Sequence, residues 1–169
     1  GGSGGSGEPP HLSAELLKTE AAIEITHIPC KGSAPSVLAL GGGEIDLSFS
    51  TAVIVLPQVN AGRLRGLAVT SPQRSKAMPG LPTMIEAGMP GFQSNTDYAL
   101  YAPANTPKEI IACLNRETIA VLQQPDLKTR LATLGIEVSG GTPDAMRTEV
   151  VAAFDKWTKV WEEGKIKTD

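Results

Sequence analysis

Alternation between helix and strand patterns is the feature that most restricts the fold of this chain. Leu12, Leu16 and Leu17 recur at helical spacing, the β-branched stretch 23–28 follows them, and the same change recurs twice before residue 71. Strands that alternate with helices are joined by right-handed crossovers and lie parallel in one sheet. The sequence therefore predicts an α/β fold with a parallel sheet.

Capping residues, prolines and glycines predict where each element begins and ends. We expect helices near residues 9–22, 33–40, 51–61, 83–88, 106–122, 125–135 and 142–161. We expect strands at 23–28, which Pro29 ends, and at 45–50, 64–70 and 136–139, with an extended crossing segment over 93–102. Thr83 and Thr106 each begin a capping box, because a glutamate follows three residues later.

Two of the later helices carry apolar stripes that we expect to be buried. The stripe of the helix at 106–122 comprises Ile110, Ile111, Leu114, Val121 and Leu122. The stripe of the last helix comprises Val150, Val151, Phe154, Trp157, Val160 and Trp161.

Length and charge limit the function classes that need to be considered. A chain of 169 residues forms one domain or two small lobes. Its 15 basic and 18 acidic residues give a net charge of −3, which excludes a basic footprint for nucleic acid. No apolar run approaches the roughly 18 residues of a membrane span, so we expect no direct membrane insertion. The sequence opens without a secretion signal.

The first seven residues, GGSGGSG, match two enzyme motifs by composition alone. The phosphate-loop pattern at Gly2, Gly4 and Gly7 lacks the preceding strand that it needs. The nucleophile-elbow pattern centred on Ser3 lies in a low-complexity run, so we interpret it as a coincidence. We expect residues 1–4 to be a linker, either native or derived from a vector.

Cysteines and histidines offer little chemistry in this sequence. Cys30 and Cys113 form no C-x-x-C pair, and whether they form a disulfide stays open. His27 and Cys30 do not make a closed metal site, and we interpret His27 as a partly buried strand residue. We expect no metal and no cofactor.

Small polar clusters at helix starts are the remaining signal. Ser6–Gly7, Gly32–Ser33–Ala34 and Ser50–Thr51 each precede a helix at the carboxyl end of an expected strand. Open α/β sheets bind ligands at that edge, and free N–H groups at a helix start attract carboxylates or phosphates. Ordinary helix capping explains the same residues, so both interpretations stay open at this point.

Several segments together resemble the Bug-type solute receptors of tripartite tricarboxylate transporters. Residues 28–35 read IPCKGSAP, which is similar to the V-P-Y-K-G-S-A-P segment of that family. Further similar segments are 42–47 (GGEIDL), 61–71 (AGRLRGLAVTS), 74–75 (RS), 81–83 (LPT), 86–92 (EAGMPGF) and 102–107 (APANTP). The resemblance runs from about residue 5 to residue 169.

This resemblance implies a periplasmic-binding-protein-like α/β fold of the type II, Venus-flytrap kind. Family chains are nearly twice as long, so we expect a carboxyl-terminal fragment that lacks the amino-terminal part of the first lobe. Residues 5–92 would form the second ligand-binding lobe. Residues 93–169 would form the crossing segment and the returning, carboxyl-terminal part of the first lobe.

The resemblance also implies a ligand site without catalytic residues. Ser6 and Gly7 would offer N–H groups at one helix start, and Gly32, Ser33 and Ala34 at another. The hydroxyls of Ser48, Ser50 and Thr51 would line the same wall. Three residues depart from the family pattern: Cys30 replaces a tyrosine, Asp97 an aromatic residue and Ala99 a glycine. Asp97 could therefore pair with a ligand amine, although a surface carboxylate at the hinge is the simpler interpretation.

The function that these expectations favour is a periplasmic solute-binding protein, not an enzyme. It would bind a small organic carboxylate, such as a di- or tricarboxylate, an aromatic acid or an acidic amino acid, and deliver it to the membrane permease subunits of the transporter. The fragment alone would bind weakly or not at all, and its open sheet edges make dimerisation plausible. The alternative is a small α/β hydrolase or a nucleotide-binding enzyme, which would need a nucleophile–histidine pair or a phosphate loop after a strand.

Overall fold

The computed structural model describes residues 1–164 and 166, and it confirms a mixed α/β chain with parallel pairing. Both short strands lie within the first 29 residues, and the other elements are helices. In chain order the elements are β1 (Gly2–Ser3), α1 (Pro9–Ala21), β2 (Ile28–Pro29), α2 (Ser33–Gly41), α3 (Ala52–Asn60), α4 (Lys108–Leu122), α5 (Pro125–Thr133) and α6 (Pro143–Glu163).

The centre of the sheet is β1, which has a parallel neighbour on each side. On one side β1 pairs with β2, so that Gly2 lies opposite Ile28 and Ser3 lies opposite Pro29. On the other side Gly2 forms a single parallel bridge with Ser48. The three carboxyl ends therefore lie at one edge of the sheet.

The strands are shorter than the sequence predicts. Of the stretch 23–28 only Ile28 is paired, and Pro29 continues β2 instead of ending it. Proline fits there because the ladder bonds to β1 come from the N–H groups of Ile28 and Cys30 on either side, which donate to Gly1 and Ser3 carbonyls at 2.9 Å.

The other expected strands contribute isolated bridges or no pairing. The stretch 45–50 is bridged only at Ser48, and the stretch 64–70 only between Val69 and Thr83. Residues 136–139 are not a strand. An extended segment becomes a strand only where a neighbour accepts its backbone hydrogen bonds, and within the described residues these stretches have few such neighbours.

Residues 1–4, expected to be a linker, are part of the fold. Gly2 and Ser3 are buried as β1, and Gly4 is buried beyond them. A Cβ on Gly2 would overlap the Ile45 side chain and lie 2.9 Å from Ser36 Oγ. The glycines therefore serve close packing between neighbouring segments, which linker-like composition does not reveal.

Most expected helices form, but their caps differ from the predictions. Gly32, not Ser33, is the N-cap of α2, and its φ of 109° is a conformation that favours glycine. The Thr83 capping box is present, with reciprocal hydrogen bonds of 2.8 and 3.0 Å to Glu86, but it closes turns and not a helix. The expected box at Thr106 is wrong, because Pro107 is the N-cap of α4 and no side chain caps it.

The core joins the start, the middle and the end of the chain. Leu16 of α1, Phe92 and Val160 of α6 are buried together, and Phe49 stacks on Phe92 with 5.9 Å between ring centroids. Ser13 of α1 shares a buried hydrogen bond of 2.6 Å with Ser94. The end of α6 is thus held against α1 by apolar contacts, and the segment after Phe92 is held to α1 by a hydrogen bond.

The predicted burial of the two late apolar stripes is largely wrong for the described residues. Helix α4 has no buried residue, and on α6 only Val160 is buried. Phe154 is 71% exposed, and Leu38 of α2 is equally exposed. Helical spacing shows that a face is apolar, but burial needs a second surface to cover it.

Candidate functional site

Three turns meet at the carboxyl edge of the short parallel sheet. One turn follows β1 and leads to α1 over residues 4–8, the second follows β2 and leads to α2, and the third follows Ser48 and leads to α3. Because β1 lies between its two neighbours, the turn after it lies between the other two. The predicted convergence of these helix starts is therefore present.

Backbone hydrogen bonds fix the first two turns against each other. Gly32 N–H donates to the Gly4 carbonyl at 2.8 Å, beyond the bond from Cys30 N–H to the Ser3 carbonyl. A Cβ on Gly4 would lie 2.9 Å from Ser33 N, so glycine is needed for this close approach. The start of α2 is thereby held directly beside the turn that follows β1.

Serine hydroxyls connect the third turn to the same centre. Ser48 Oγ donates to the Gly2 carbonyl at 3.2 Å and lies 3.2 Å from the hydroxyls of both Ser36 and Ser50. Thr51 follows as the N-cap of α3, and its side chain makes no capping hydrogen bond. Ser48 and Ser50 therefore lie beside the strand that carries Gly2, and Thr51 follows them at the start of α3.

The structure brings most of the predicted site residues together, with two differences. Ser33 and Ala34 occupy the first turn of α2, whose leading N–H groups have no carbonyl within the helix. Gly7 N–H, expected to face a ligand, instead donates to His11 Nδ1 at 3.0 Å, while Ser6 lies in the turn between Gly5 and Gly7. Asp97 is exposed in an extended segment, and no hydrogen bond of the described residues joins it to the three turns.

Two stacked histidines lie behind the turn that follows β1, an arrangement that sequence reasoning missed. The rings of His11 and His27 are 3.7 Å apart and inclined by 8°. His27 Nε2 lies 2.6 Å from Ser3 Oγ, and His11 Nε2 lies 3.6 Å from the Glu15 carboxylate. Burial lowers the pKa of both imidazoles, and the neighbouring His11 further lowers the pKa of His27. The sixteen-residue spacing in sequence gives no signal for this pairing.

Ser3 next to His27 is the nucleophile–histidine pair that the sequence did not reveal. However, Ser3 is 0% exposed, and its hydroxyl also donates to the Gly5 carbonyl at 2.9 Å and accepts from Gly5 N–H at 3.3 Å. A substrate carbonyl therefore has no open path to Ser3 Oγ. The pair holds the glycine-rich turn in shape and does not form a nucleophile elbow.

Glu8 is a second residue that sequence reasoning missed. It is the N-cap of α1, yet its side chain makes no capping hydrogen bond. A Cβ on Gly4 would overlap Glu8 Oε2, and the same point lies close to Ser33 N, so the carboxylate lies beside the start of α2. Glu8 therefore places a negative charge where the three turns meet.

The described residues offer no other chemistry for this site. Cys30 and Cys113 are both free, which answers the open question of a disulfide. Among the residues that the structure covers, no group of three or more potential ligands could hold a metal ion. No helix of residues 1–164 is long and apolar enough to cross a bilayer.

Comparisons with known sequences agree on one family. A family model described as the tripartite tricarboxylate transporter family receptor matches residues 1–164. A UPF0065 protein of Pseudomonas knackmussii, from the clcB–clcD intergenic region, is 30% identical and covers 98% of this chain and 98% of its own length. BugT of Bordetella pertussis is 34% identical and covers 95% of this chain and 49% of its own length. The chain thus spans nearly all of the first relative and about half of the second.

Solved structures agree with the sequence comparison. An R. palustris protein solved with adipate is 36% identical, with a TM-score of 0.88, over 99% of this chain and 56% of that one. The periplasmic binding protein BugD is 29% identical, with a TM-score of 0.80, over 95% of this chain and 54% of that one. MatC from Rhodopseudomonas palustris, solved with bound malate, is 30% identical, with a TM-score of 0.78, over 89% of this chain and 52% of that one.

Proposed function

Because the chain belongs to the tripartite tricarboxylate transporter receptor family, we propose that it captures a small organic carboxylate in the periplasm for a transporter of that kind. The family consists of solute-binding receptors and not of enzymes, and the chain has the α/β fold of its periplasmic binding proteins. For this chain we propose three things: that it captures a carboxylate, that it does so in the periplasm, and that it delivers the ligand to membrane permease subunits.

Convergence of three turns at one edge of the sheet is the observation that carries the proposal. The first turn of α2 offers the N–H groups of Ser33 and Ala34, and Ser48, Ser50 and Thr51 add hydroxyls beside them. One helix N-terminus contributes about 0.3–1 kcal/mol toward an anion at an exposed site and up to about 2 kcal/mol when partly buried. Several together can hold a carboxylate without an arginine.

Two similar proteins point to the ligand class. One was solved with adipate and another with malate, and both ligands are dicarboxylates. Hydrogen bonds to a charged acceptor contribute roughly 1.5–3 kcal/mol each, and micromolar affinity needs about −8.2 kcal/mol. A handful of such bonds, strengthened when a closing cleft excludes water, reaches that range after ordering costs.

Two lobes would form the complete cleft. We propose that residues 5–92 belong to the second lobe and that 93–169 cross over and return to the first, with Lys165 and residues 167–169 outside the described part. The chain would then supply one wall of the cleft, and the amino-terminal half of a longer protein would supply the other. On this proposal the 169-residue chain binds its ligand weakly or not at all.

Calorimetry with adipate and malate tests both the weak binding of the 169-residue chain and the proposed role of the start of α2. The 169-residue chain should bind either acid at least about tenfold more weakly than a protein that begins at the start codon of the same gene. In that longer protein Ser33→Pro removes the Ser33 N–H at a helix position that tolerates proline, whereas Ser33→Ala removes only the hydroxyl. Ser33→Pro should weaken binding more than Ser33→Ala. Equal affinity of both variants and the parent would contradict the proposed site.

Asp97 carries a separate proposal about selectivity. Its carboxylate would accept a hydrogen bond from a ligand amine when the lobes close, which would favour an acidic amino acid over a simple diacid. Asp97→Ala should then lower aspartate affinity relative to malate affinity. An unchanged ratio of the two affinities would contradict this role and leave Asp97 as a surface residue of the hinge.

Self-association is proposed for the chain when it is produced alone. The sheet of the described residues has two strands, and exposed edges of short sheets can pair. Light scattering between low and high micromolar concentration should detect a dimer. A constant monomeric mass over that range would contradict it.

A further inference from the structure

His11 and His27 connect the turn after β1 to the interior of the chain. His11 Nδ1 accepts the N–H of Gly7 at 3.0 Å, and His27 Nε2 contacts Ser3 Oγ at 2.6 Å. One bond thus ends on β1 and the other on the turn that leads from β1 to α1. His11 is 5% exposed, and its ring lies flat against that of His27 at 3.7 Å.

The bond from Gly7 requires that His11 is neutral. A backbone N–H can donate only to a ring nitrogen that carries no proton, so Nδ1 is the acceptor and Nε2 carries the hydrogen, which faces the Glu15 carboxylate at 3.6 Å. A proton added to His11 must therefore go to Nδ1. There it would face the Gly7 N–H, donor against donor, and the bond would be lost.

The stacking makes a charge on either ring unfavourable. A face-to-face contact at 3.7 Å leaves no room for water between two imidazoles, so a proton on one ring is held directly against the other. His27 could keep its contact with Ser3 Oγ when protonated, because Nε2–H can donate to the hydroxyl. The Gly7 bond is thus the contact that protonation breaks first.

Other charged groups face the pair from each packed element. On α1, Glu15 favours a charged His11, whereas Lys18, paired with Glu15 at 2.9 Å, opposes it. The Gly1 ammonium opposes a charge on His27. From α6, Glu163 lines the same surface groove as Glu15 and Lys18. Glu15 is the acid in contact with the ring, and Lys18 acts in the opposite direction.

We propose that the neutral His11–His27 pair positions the turn over residues 4–8 for ligand binding, and that a proton on His11 Nδ1 releases this turn and weakens binding. The two histidines are positioning residues, since they act on the ligand through Ser3 and Gly7. The proposal rests on the proposed function for its effect on affinity, whereas the release of the turn can be measured without ligand.

Burial sets the direction of the pH dependence. It is the largest cause that lowers the pKa of both histidines, so each ring stays neutral to a lower pH than in an unfolded chain. Between about pH 6.5 and the lower folded pKa the unfolded state binds more protons. The contribution of the two neutral histidines to the free energy of unfolding should therefore be greatest above about pH 6.5. It should fall as the pH is lowered through that window.

Nuclear magnetic resonance of the 169-residue chain tests the release directly. The Gly7 amide signal should move with pH at the same midpoint as the His11 ring signals, and that midpoint should lie below about 6.5. His11→Gln keeps an oxygen acceptor for the Gly7 N–H but cannot titrate, so this transition should disappear. His27→Gln keeps a partner for Ser3, and the Gly7 transition should persist. A Gly7 signal that does not follow His11 in the parent chain overturns the proposal without any variant.

Binding measurements in the longer protein test the effect on affinity. Malate affinity should fall between pH 7.5 and pH 5 by about tenfold more in the parent than in His11→Gln, which corresponds to about one net hydrogen bond. The variant corrects for protonation of malate itself. Equal losses in both proteins overturn the proposal. If no acid binds at pH 7.5 while the Gly7 transition is present, the proposed function fails and the pH-sensitive turn stands.

Discussion

Residues 1–92 and residues 93–164 differ sharply in how well they are buried. Seven of the eight buried apolar residues lie in the first region, and Val160 is the one that lies in the second. In the second region α4 and α5 contain no buried residue at all. Both regions carry amphipathic helices, so the difference does not come from composition.

The comparison teaches that an amphipathic helix gains stability only from a surface that covers it. Helix α1 has such a surface, because α6 and Phe92 pack against Leu16. Helix α4 presents Ile110, Leu114 and Val121 without a comparable cover within the described residues. Most of the folding free energy should therefore come from residues 1–92 and from the end of α6 that joins them.

The largest contrast should come from two phenylalanines, one in each region. Phe92 is 0% exposed and stacks on Phe49, so Phe92→Ala should cost about 3–5 kcal/mol of unfolding free energy. Phe154 is 71% exposed on α6, and Phe154→Ala should change it by less than about 0.5 kcal/mol. Urea unfolding of both variants, followed by circular dichroism, measures the two effects.

A large loss for Phe154→Ala would break this comparison. It would mean that the face of α6 is covered in solution, by a second copy or by another surface. Repeating the unfolding at several protein concentrations separates a covered monomer from a dimer, because only the dimer gains stability with concentration.

A smaller effect is expected at a contact between the two regions. Gly135 has a φ of 75°, and a Cβ on it would lie 2.5 Å from the Cβ of Ala52 at the start of α3. Gly88 has a φ of 99°, and a Cβ there would meet nothing within 4 Å. Gly88→Ala should therefore cost about 1 kcal/mol for the backbone alone, and Gly135→Ala about 1–3 kcal/mol more.

Thermal unfolding of the two glycine variants sharpens the boundary between the regions. If both lose the same stability, the contact of Gly135 with α3 is not formed in solution. The regions would then be connected mainly through α1 and α6.

Helix caps give an effect of about 1 kcal/mol within the second region. Thr142 Oγ1 accepts the N–H of Ala145 at 3.1 Å, so Thr142→Ala should destabilise α6 by about that amount. Thr106 precedes α4 but caps nothing, and Thr106→Ala should be nearly neutral. Chemical denaturation compares the two threonines, and equal losses would show that α4 is capped in solution.

The smallest expected effect concerns the acid beside the three turns. On the proposed function Glu8 would compete with a ligand carboxylate for the start of α2, so Glu8→Gln should tighten malate binding by about two- to fivefold in the longer protein. Glu149→Gln, at an exposed position of α6, is the matched control for loss of one charge and should leave malate affinity unchanged. Weaker binding after Glu8→Gln would mean that the carboxylate orders the site instead of opposing the ligand.

Local patterns in the sequence predicted the helices well. Pro9 and Pro10 predicted the start of α1, Gly135 the end of α5, and Thr142 the cap of α6, because each acts through its own backbone neighbours. The alternation of elements and the similar segments predicted the parallel fold and the meeting of the three turns.

Features that depend on distant residues could not be predicted from local pattern. The pairing of His11 with His27 and the position of Glu8 over Gly4 depend on how β1 lies between its neighbours. Whether the apolar stripe on α4 is buried depends on which surface covers it, and the spacing of residues within α4 does not show this. The same limit made Gly2 and Ser3 read as a linker.

The central place of β1 has a consequence for the order of assembly. Its partners lie 26 and 46 residues further along the chain, at Ile28 and Ser48, so the sheet is built from contacts distant in sequence and closes late and slowly. Until then the stretch GGSGGSG stays unpaired. Because it has no apolar side chains, it is a poor partner for incorrect pairing or aggregation. The composition that made this segment resemble a linker should therefore also limit wrong apolar contacts before the sheet forms.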